Sequence, residues 1–336
     1  MSEVQSSKFQ PQSPVISIVI PLYREEKNVV PLVDRIGQVM APLGYLWEIV
    51  FALDPSPDRT REVIMDLIAQ GNPIRLLTFS RRIGKPLSLI AGLDHAVGDA
   101  CVIIDADLQD PPELIGEMIQ KWKQGYQVVL AQRTSRKGEN FLYLKAAQAF
   151  YRILEKISEV PVPRDTGDYR LLDARVVKEL STFRERHGFL RGLTAAVGFK
   201  TTVIPYEREP RYSGKTQISF AGAFDIALDG IVPFSRVPVR LLLFTGASLA
   251  VIAMVLALLW IILGVLTGFS DKWPFVALGL LITELSGIVL TGMGILGEYL
   301  VRSYEETRDR PLYIIDTLEE SAGLPRKGPD NTQSKQ

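Results

Sequence analysis

The sequence predicts an α/β domain with a mostly parallel sheet, followed by a hairpin of two transmembrane helices. Two observations lead to this fold class. Between residues 15 and 105, short runs rich in β-branched residues alternate with segments of helical length, which is typical of strand–helix–strand units. Further along, residues 241–266 carry no charge and residues 275–296 carry only Glu284, so each segment is long and apolar enough to span a bilayer.

The predicted strands and helices follow one another at regular intervals. Right-handed crossovers join consecutive parallel strands, and ligands of such sheets bind beyond the carboxyl ends of the strands. We therefore expect the segments that follow the four strands to converge on one cleft. The strands are VISIVI from Val15, WEIVFAL from Trp47, IRLLTF from Ile74 and CVIID from Cys101, and the helices are Asn28–Met40, Asp58–Gln70 and Lys85–Val97.

The composition argues against several classes of function. Lys and Arg total 38, as do Asp and Glu, so there is no global basic field to hold nucleic acid. The single cysteine, Cys101, cannot form an internal disulfide, and two histidines leave no set of soft ligands for a structural zinc site. We expect no nucleic-acid partner and a reducing compartment.

The charges around the two apolar segments predict the membrane topology. Arg236 and Arg240 precede the first segment, and Arg302, Arg308 and Arg310 follow the second, whereas the short link between them carries one lysine balanced by one aspartate. By the positive-inside rule, both termini are cytoplasmic. The first residues, MSEVQSSKFQPQSP, lack the apolar core of a signal peptide, so the α/β domain is predicted to stay in the cytosol.

The segments between and around these parts complete the predicted organisation. Residues 218–238 mix apolar and charged residues, which suits a helix lying on the membrane surface or, alternatively, a core helix of the α/β domain. In the second span Gly279, Thr283, Gly287 and Thr291 recur every four residues, which predicts close helix packing and a homo-oligomer. The predicted segments are a disordered N-terminus at 1–14, the α/β domain at 15–217, the interfacial segment at 218–238, two transmembrane helices within 239–301 (about 241–266 and 275–298) and a cytoplasmic tail at 302–336.

Most of the recognisable chemistry lies after the fourth strand, in DADLQDPPE. In an extended segment, the alternation of Asp105, Asp107 and Gln109 places three oxygen-bearing side chains on one side. Hard oxygen ligands without His or Cys suit Mg²⁺ or Mn²⁺, and such a cation would neutralise a departing diphosphate. The structural alternative is that these carboxylates only cap the next helix.

The other loops are compatible with a nucleotide. The chain lacks both G-x-G-x-x-G and G-x-x-x-x-G-K-[ST], so the phosphate cradles of dinucleotide enzymes and P-loop NTPases are missing. Asp54 is placed to accept hydrogen bonds from a base or ribose, and Lys85 to meet phosphate. Taken singly, each is equally well explained as a surface charge.

These segments together resemble the family 2 glycosyltransferases of the GT-A fold. PLYREEKNV resembles the opening motif P-x-Y-N-E-x-x-N with Arg24 where Asn is usual, and LDPSPD resembles D-D-G-S-x-D with Leu53 and Pro55 as departures. RRIGKPLSLIAGLDHAVGD is similar to R-N-x-G-K-x-x-A-x-x-x-G-x-x-x-A-x-G-D, and DADLQDPPE matches outright. The resemblance covers about residues 15–310 and includes the paired membrane spans.

Two later motifs narrow the resemblance to polyprenyl-phosphate sugar transferases, the group of dolichyl-phosphate mannose synthase and the bactoprenol glucosyltransferases of the Gtr type. DTGDYRLLDARVV resembles D-T-G-D-F-R-L-M-D-R of the Gtr-like branch. RYSGKTQ corresponds to R-x-x-G-x-S-K but lacks the final lysine, for which Lys215 is the available substitute.

The resemblance implies a Rossmann-like domain with a mostly parallel sheet, and it implies roles for individual residues. One of Asp165 and Asp168, more strongly Asp168, is a base or orients the sugar; alternatively, Asp165 caps a turn and Asp168 pairs with Arg170. The implied sets are Pro21, Tyr23, Glu25, Asp54, Lys85 and Asp105 for the nucleotide-sugar, Asp107 and Gln109 for Mg²⁺ or Mn²⁺, Arg133, Arg136, Arg211 and Lys215 for the acceptor phosphate, and Asp105, Asp107, Asp168 and Arg133 as catalytic residues.

The implied reaction is transfer of glucose from UDP-glucose to a polyprenyl phosphate, undecaprenyl or dolichyl, with inversion at the anomeric carbon and at the cytoplasmic face of the bilayer. The alternative donor is GDP-mannose. A non-enzymatic alternative is a membrane adaptor that binds nucleotide-sugar without turnover. Processive polysaccharide synthesis is less compatible, because Q-x-x-R-W is absent and two spans are too few to line a channel.

Overall fold

The computed structural model of the chain describes residues 14–134, 166–183, 190–208, 273–308 and 310–325, together with single positions between 244 and 266. The chain divides into two compact units. One contains all the described strands and the helices that pack on them. The other contains the long helix that begins at Trp273.

The first unit is built on one mixed sheet. Its described strands lie in the order β7-β5-β6-β4-β1-β2-β3-β8. All run parallel except β6, which is inserted between β4 and β5, and β8 at the edge. The predicted mostly parallel α/β fold is therefore confirmed. The strands are β1 (Val15–Leu22), β2 (Leu46–Leu53), β3 (Ile74–Phe79), β4 (Ala100–Ile103), β5 (Val128–Arg133), β6 (Thr166–Asp173), β7 (Thr201–Tyr206) and β8 (Ile315–Glu320).

Helices cover the sheet and explain why its central strands are mostly apolar and buried. In α1 the residues at helical spacing, Val29, Leu32, Val33, Ile36 and Met40, are buried. Strands covered on both faces read as continuous hydrophobic runs rather than alternating ones, and β3 is buried along its whole length. The helices of this unit are α1 (Val29–Met40), α2 (Thr60–Ala69), α3 (Lys85–His95), α4 (Leu114–Lys123), α5 (Ala174–Leu180) and α6 (Leu190–Ala196).

The Gly98-Asp99 pair has a structural role at the amino-terminal edge of the sheet. A Cβ atom on Gly98 would lie 2.6 Å from the backbone nitrogen of Ser17, so only glycine fits this close approach. The next residue, Asp99, accepts the Val15 backbone N–H at 2.9 Å. Together they join the start of β4 to the start of β1.

Residues 311–325 return to the sheet after the long helix. For this part of the chain the sequence predicted a tail, and it placed the end of the α/β domain at residue 217. The structure adds strand β8, which pairs antiparallel with β3. Tyr313, just before β8, donates its hydroxyl to Asp94 at 2.8 Å and packs edge-on against Phe79 and His95.

The second unit contains α7 (Trp273–Thr307), a continuous helix of 35 residues. Within the described part of the chain, it is the one helix long and apolar enough to cross a membrane, over Glu284–Val301 with a mean hydropathy of 1.3. This window overlaps the second predicted span, about 275–298, and extends three residues beyond it. Most of the first predicted span and all of residues 218–238 lie outside the described residues, so the hairpin stays a prediction.

A buried charge network ties β8 to the middle of the sheet. The Glu48 side chain is fully buried and accepts hydrogen bonds from the Ser17 hydroxyl at 2.6 Å and the Val97 backbone N–H at 2.9 Å. Arg75 donates its Nε to Glu48 at 3.1 Å and also pairs with Glu320 of β8. The Glu48 carboxylate therefore has its charge compensated by one arginine that bridges two carboxylates.

We predict that Arg75→Met destabilises the protein by about 3–5 kcal/mol, because it leaves the Glu48 carboxylate buried without a cation. Urea unfolding in detergent, followed by circular dichroism, measures the change. The control is Arg61→Met, which removes the partly exposed ion pair with Glu319 and should change stability by about 1 kcal/mol or less. Equal effects of the two substitutions would contradict the importance of burial.

Candidate active site

Seven strands bring polar segments to one edge of the sheet. The segments after β1, β2, β3 and β4 meet there, as expected for the carboxyl ends of parallel strands. β5 and β7 run in the same direction and end at this edge with Arg133 and Tyr206. Because β6 is antiparallel, its beginning rather than its end lies here, which brings Asp168 to the same place.

The acidic segment after β4 is a turn rather than an extended segment. Leu108 has a left-handed backbone with φ of 60°, and the Asp107 Oδ1 atom accepts the Gln109 backbone N–H at 3.2 Å. The expectation that Asp105, Asp107 and Gln109 alternate on one side of a strand is therefore wrong. The strand pairing ends at Ile103, and local side-chain-to-backbone bonding then shapes the chain.

Lys85 lies at the centre of the site. Its ammonium is 2.7 Å from Asp105 Oδ1 and 2.8 Å from Asp168 Oδ2, so it bridges carboxylates from two different strands. The other oxygen of Asp168 accepts the Nε of Arg191, on α6, at 2.9 Å. The side chain of Arg170 instead reaches the backbone carbonyls of Gly167 and Asp168, so the alternative pairing of the Asp168 carboxylate with Arg170 is not the observed one.

The charges in this cluster shift the pKa values of its members. Burial by itself would raise the pKa of Asp168, but the positive charges of Lys85 and Arg191 hold it well below its usual value. Burial by itself would lower the pKa of Lys85, and the carboxylates of Asp105 and Asp168 raise it above its usual value instead. Lys85 and Asp168 are therefore both ionised at neutral pH.

The loop that carries Lys85 is shaped by Asp54. Asp54 is buried, and its two oxygens accept the backbone N–H groups of Ile83 and Gly84, each at 2.9 Å. Gly84 has φ of 84°, a left-handed conformation that favours glycine, and Lys85 begins α3 directly after it. The Asp54 carboxylate thus holds the turn that aims Lys85 into the site, in addition to the base or ribose contact predicted for it.

Residues after β1 line another side of the edge. The guanidinium of Arg82 lies 3.9 Å from the centre of the Tyr23 ring, and that of Arg24 lies 5.2 Å from it. Glu25 accepts the side-chain amide of Asn28 at 2.5 Å. Pro21, in the last part of β1, is partly buried. Two guanidinium groups therefore lie over the ring of Tyr23, one of the predicted nucleotide residues.

Arg133 connects β5 to β6 and β7. Its Nε donates to the Tyr206 hydroxyl at 3.2 Å. Its guanidinium lies so close to Gly167 that a Cβ atom there would be 2.8 Å from Nη2. A side chain at position 167 would therefore displace the Arg133 guanidinium from this place.

The structure thus brings several predicted residues together and adds others. Lys85, Asp105 and Asp168 are in direct contact, and Asp107 follows within the same turn. Arg136, Asp165, Arg211 and Lys215 lie outside the described residues. Residues that the sequence did not single out are Arg191, Tyr206 and Arg208, because they follow no motif that carries chemistry by itself.

The acidic turn offers oxygen ligands for a metal ion. The described residues contain no group of three or more His, Cys, Asp or Glu side chains arranged to hold a metal. Asp107 and Gln109 offer two hard oxygens, which fits a Mg²⁺ or Mn²⁺ ion that takes its remaining ligands from a diphosphate and water. The residues present therefore fit a cation that is bound together with a donor.

Comparison with known proteins shows which family the chain belongs to. Residues 17–181 match the model of glycosyl transferase family 2. The chain is 39% identical over 303 residues to an uncharacterized glycosyltransferase of Synechocystis sp., covering 90% of this chain and 95% of that protein. It is 37% identical to the prophage bactoprenol glucosyl transferase homolog of Escherichia coli (89% and 98% covered) and 36% identical to the bactoprenol glucosyl transferase of Shigella phage SfII (89% and 97%). The chain therefore belongs to the family 2 glycosyltransferases and is a glycosyl-transferring enzyme.

Proposed function

We propose that this protein transfers glucose from UDP-glucose to a polyprenyl phosphate at the cytoplasmic face of a membrane, with inversion at the anomeric carbon. The observation that carries the proposal is the Lys85 ammonium, held between Asp105 and Asp168 next to Asp107. This arrangement suits a diphosphate leaving group and an anionic acceptor. Relatives named bactoprenol glucosyl transferases, which this chain matches over 89% of its length, support glucose and the lipid acceptor.

The nucleophile needs little activation. A phosphate monoester has a second pKa of about 6, so its oxygen is largely ionised at neutral pH. Asp168 is a poor base in this setting, because cations hold both of its oxygens and keep its pKa low. We therefore assign Asp168 an orienting role: it positions Lys85 and Arg191 and accepts hydrogen bonds from the sugar.

The leaving group needs positive charge. Lys85 supplies a fixed ammonium for the diphosphate. When bound at Asp107 and Gln109, a divalent cation would supply further neutralisation of the charge that develops on the nucleoside diphosphate. Asp105 keeps the ammonium of Lys85 at the site before the donor binds.

The acceptor phosphate requires a separate group of cations. Arg133 is fixed by Tyr206 and lies against Gly167, one residue from Asp168, so a phosphate on its guanidinium would lie close to the sugar. Arg136, Arg211 and Lys215 are proposed to complete this group. Holding both substrates in one orientation makes the displacement nearly unimolecular.

The position of β8 supports the topology of a membrane hairpin. The chain leaves the sheet after β7, and after α7 it returns to the same sheet as β8. The two ends of the intervening segment must therefore lie on the same side of a membrane. If α7 crosses the bilayer, a second crossing lies between Tyr206 and Trp273, and residues 241–266 are the segment suited to it.

We predict that the purified protein releases UDP and forms glucosyl lipid when UDP-glucose and undecaprenyl phosphate are supplied with Mn²⁺. Asp107→Ala should lower this rate by about a thousandfold or more, since charge stabilisation by a metal is worth several kcal/mol. Radiolabelled nucleotide-sugars offered with undecaprenyl and dolichyl phosphates measure both. Asp34→Ala, an exposed residue of α1, is the control.

The outcomes separate the alternatives. Transfer only from GDP-mannose would show that GDP-mannose, and not UDP-glucose, is the donor. Binding of nucleotide-sugar without transfer to any acceptor would identify an adaptor. Full turnover of Asp107→Ala would refute the metal assignment.

We predict that the stability difference between wild type and Asp168→Asn narrows at acid pH. A carboxyl with a lowered pKa in the folded state stabilises the protein above its unfolded pKa, and the stabilisation is lost as pH falls through the folded value. For Asp168 the loss begins near the ordinary value of 3.8 and continues below it. Urea midpoints between about pH 7 and pH 2.5 measure the difference. A stability difference that stays constant across this pH range for Asp168→Asn would contradict the ion-pair assignment.

We predict that a cysteine placed in the link between the apolar segments is accessible from outside the cell, whereas one placed near β8 is not. Cys101 is buried, so it gives little background labelling. Ser270→Cys should react with a membrane-impermeant maleimide on intact cells, and Ala322→Cys, at an exposed position, only after permeabilisation. The reverse pattern would overturn the proposed orientation.

A further inference from the structure

The guanidinium of Arg208 lies between two carboxylates of the acidic turn. Its Nη2 atom is 3.8 Å from Asp107 Oδ2, and its Nε atom is 3.6 Å from Asp110 Oδ1. These are ion-pair distances, and both exceed the length of a hydrogen bond. Arg208 therefore compensates the charge of the turn without being tightly bound to it.

Two polar atoms at this place are buried without a hydrogen bond. Within the part of the chain that the structure describes, Nε of Arg208 has no acceptor and Oδ2 of Asp110 has no donor. Asp110 is 1% exposed, and its other oxygen accepts the Tyr206 hydroxyl. Leaving a buried charged group short of a partner is unfavourable, so the pair is arranged for a change in which Arg208 finds a better acceptor.

We propose that Arg208 is a binding residue for the donor diphosphate: it neutralises Asp107 and Asp110 before a metal binds, and it turns to a diphosphate oxygen once a divalent cation occupies Asp107. The inference rests on the proposed function, since it takes the donor to be a nucleoside diphosphate sugar.

A divalent cation at Asp107 would favour the movement of Arg208 from the carboxylate to the diphosphate. A divalent cation binds carboxylate oxygen at about 2.0–2.1 Å in the case of Mg²⁺, and a guanidinium beside the same oxygen would repel it. The long contact to Asp107 makes release of Arg208 easy. A diphosphate that shares the cation with Asp107 brings its oxygens within reach of the freed side chain, and arginine binds phosphate oxygens in a planar, two-pronged geometry.

The neighbouring cations are held at shorter distances than Arg208, at 2.7–3.2 Å compared with 3.6–3.8 Å. Lys85 is held by Asp105 and Asp168, Arg191 by Asp168, and Arg133 by Tyr206. Arg208 also lies next to the segment RYSGKTQ, which carries the proposed acceptor residues Arg211 and Lys215.

The test compares metal binding with diphosphate binding in the full-length protein. Mn²⁺ binding is measured alone by electron paramagnetic resonance, and binding of UDP and of inorganic pyrophosphate is measured by calorimetry at saturating Mn²⁺. The variants are Arg208→Gln and Arg208→Lys, and the control is Arg175→Gln, which removes an exposed arginine paired with Asp173. Thermal unfolding checks that each variant is folded.

We expect Arg208→Gln to bind Mn²⁺ alone at least as tightly as the wild type, because a competing positive charge is gone. It should bind Mn²⁺-pyrophosphate and Mn²⁺-UDP about tenfold to a hundredfold more weakly, the effect of one lost charge-assisted hydrogen bond. Arg208→Lys keeps the charge but not the planar geometry, so its affinity for Mn²⁺-pyrophosphate and Mn²⁺-UDP should lie between those of the wild type and Arg208→Gln. Arg175→Gln should match the wild type throughout.

Other outcomes overturn the inference. Weaker binding of Mn²⁺ alone by Arg208→Gln would make Arg208 a support of the metal site, and unchanged pyrophosphate binding would exclude it as a diphosphate ligand. Failure of the wild type to bind UDP with Mn²⁺, while pyrophosphate binding still depends on Arg208, would instead refute the proposed donor and leave this inference standing.

Discussion

The ammonium of Lys85 holds the two halves of the active site together. It bridges Asp105, after parallel strand β4, and Asp168, at the start of antiparallel strand β6. Two carboxylates this close would repel each other without a cation between them. The position of the ammonium in turn depends on the turn before α3, where Asp54 binds two consecutive backbone N–H groups and Gly84 takes a left-handed conformation.

The charges around Lys85 are also arranged as carboxylates beside cations. Four acidic side chains of the cleft have a cation from another element nearby: Lys85 lies beside Asp105, Lys85 and Arg191 lie beside Asp168, and Arg208 lies near Asp107 and Asp110. A site whose charges are balanced within the protein is organised before substrates arrive, which lowers the reorganisation needed during the reaction. The arginines and the lysine are then available to phosphate groups in exchange for carboxylates.

The contacts at the opposite edge of the sheet, where the parallel strands begin, stabilise the fold. There the buried Glu48 carboxylate, Arg75 and Glu320 connect the central strands to β8, across 245 residues of sequence in the case of Arg75 and Glu320. The close packing of Gly98 against β1 belongs to the same edge. Thus the glycosyltransferase motif that begins at Arg81 serves both edges, with Lys85 in the active site and Gly98-Asp99 in the framework.

The sequence by itself determined the order of the first four strands and three helices, and it located the segments that form the cleft. These features depend on local periodicity and on the rule that parallel strands end at one edge, so they can be read from neighbouring residues. Asp105 and Lys85 were found in this way, whereas Asp168 was singled out only by the resemblance of its segment to a family motif. Only the tertiary structure decided that β6 is inserted antiparallel, that β8 completes the sheet, that the acidic segment is a turn, and that Arg191, Tyr206 and Arg208 belong to the site. Each of these depends on contacts between residues far apart in the chain, and the free energy of such contacts is set by sheet order and burial, which local sequence does not encode.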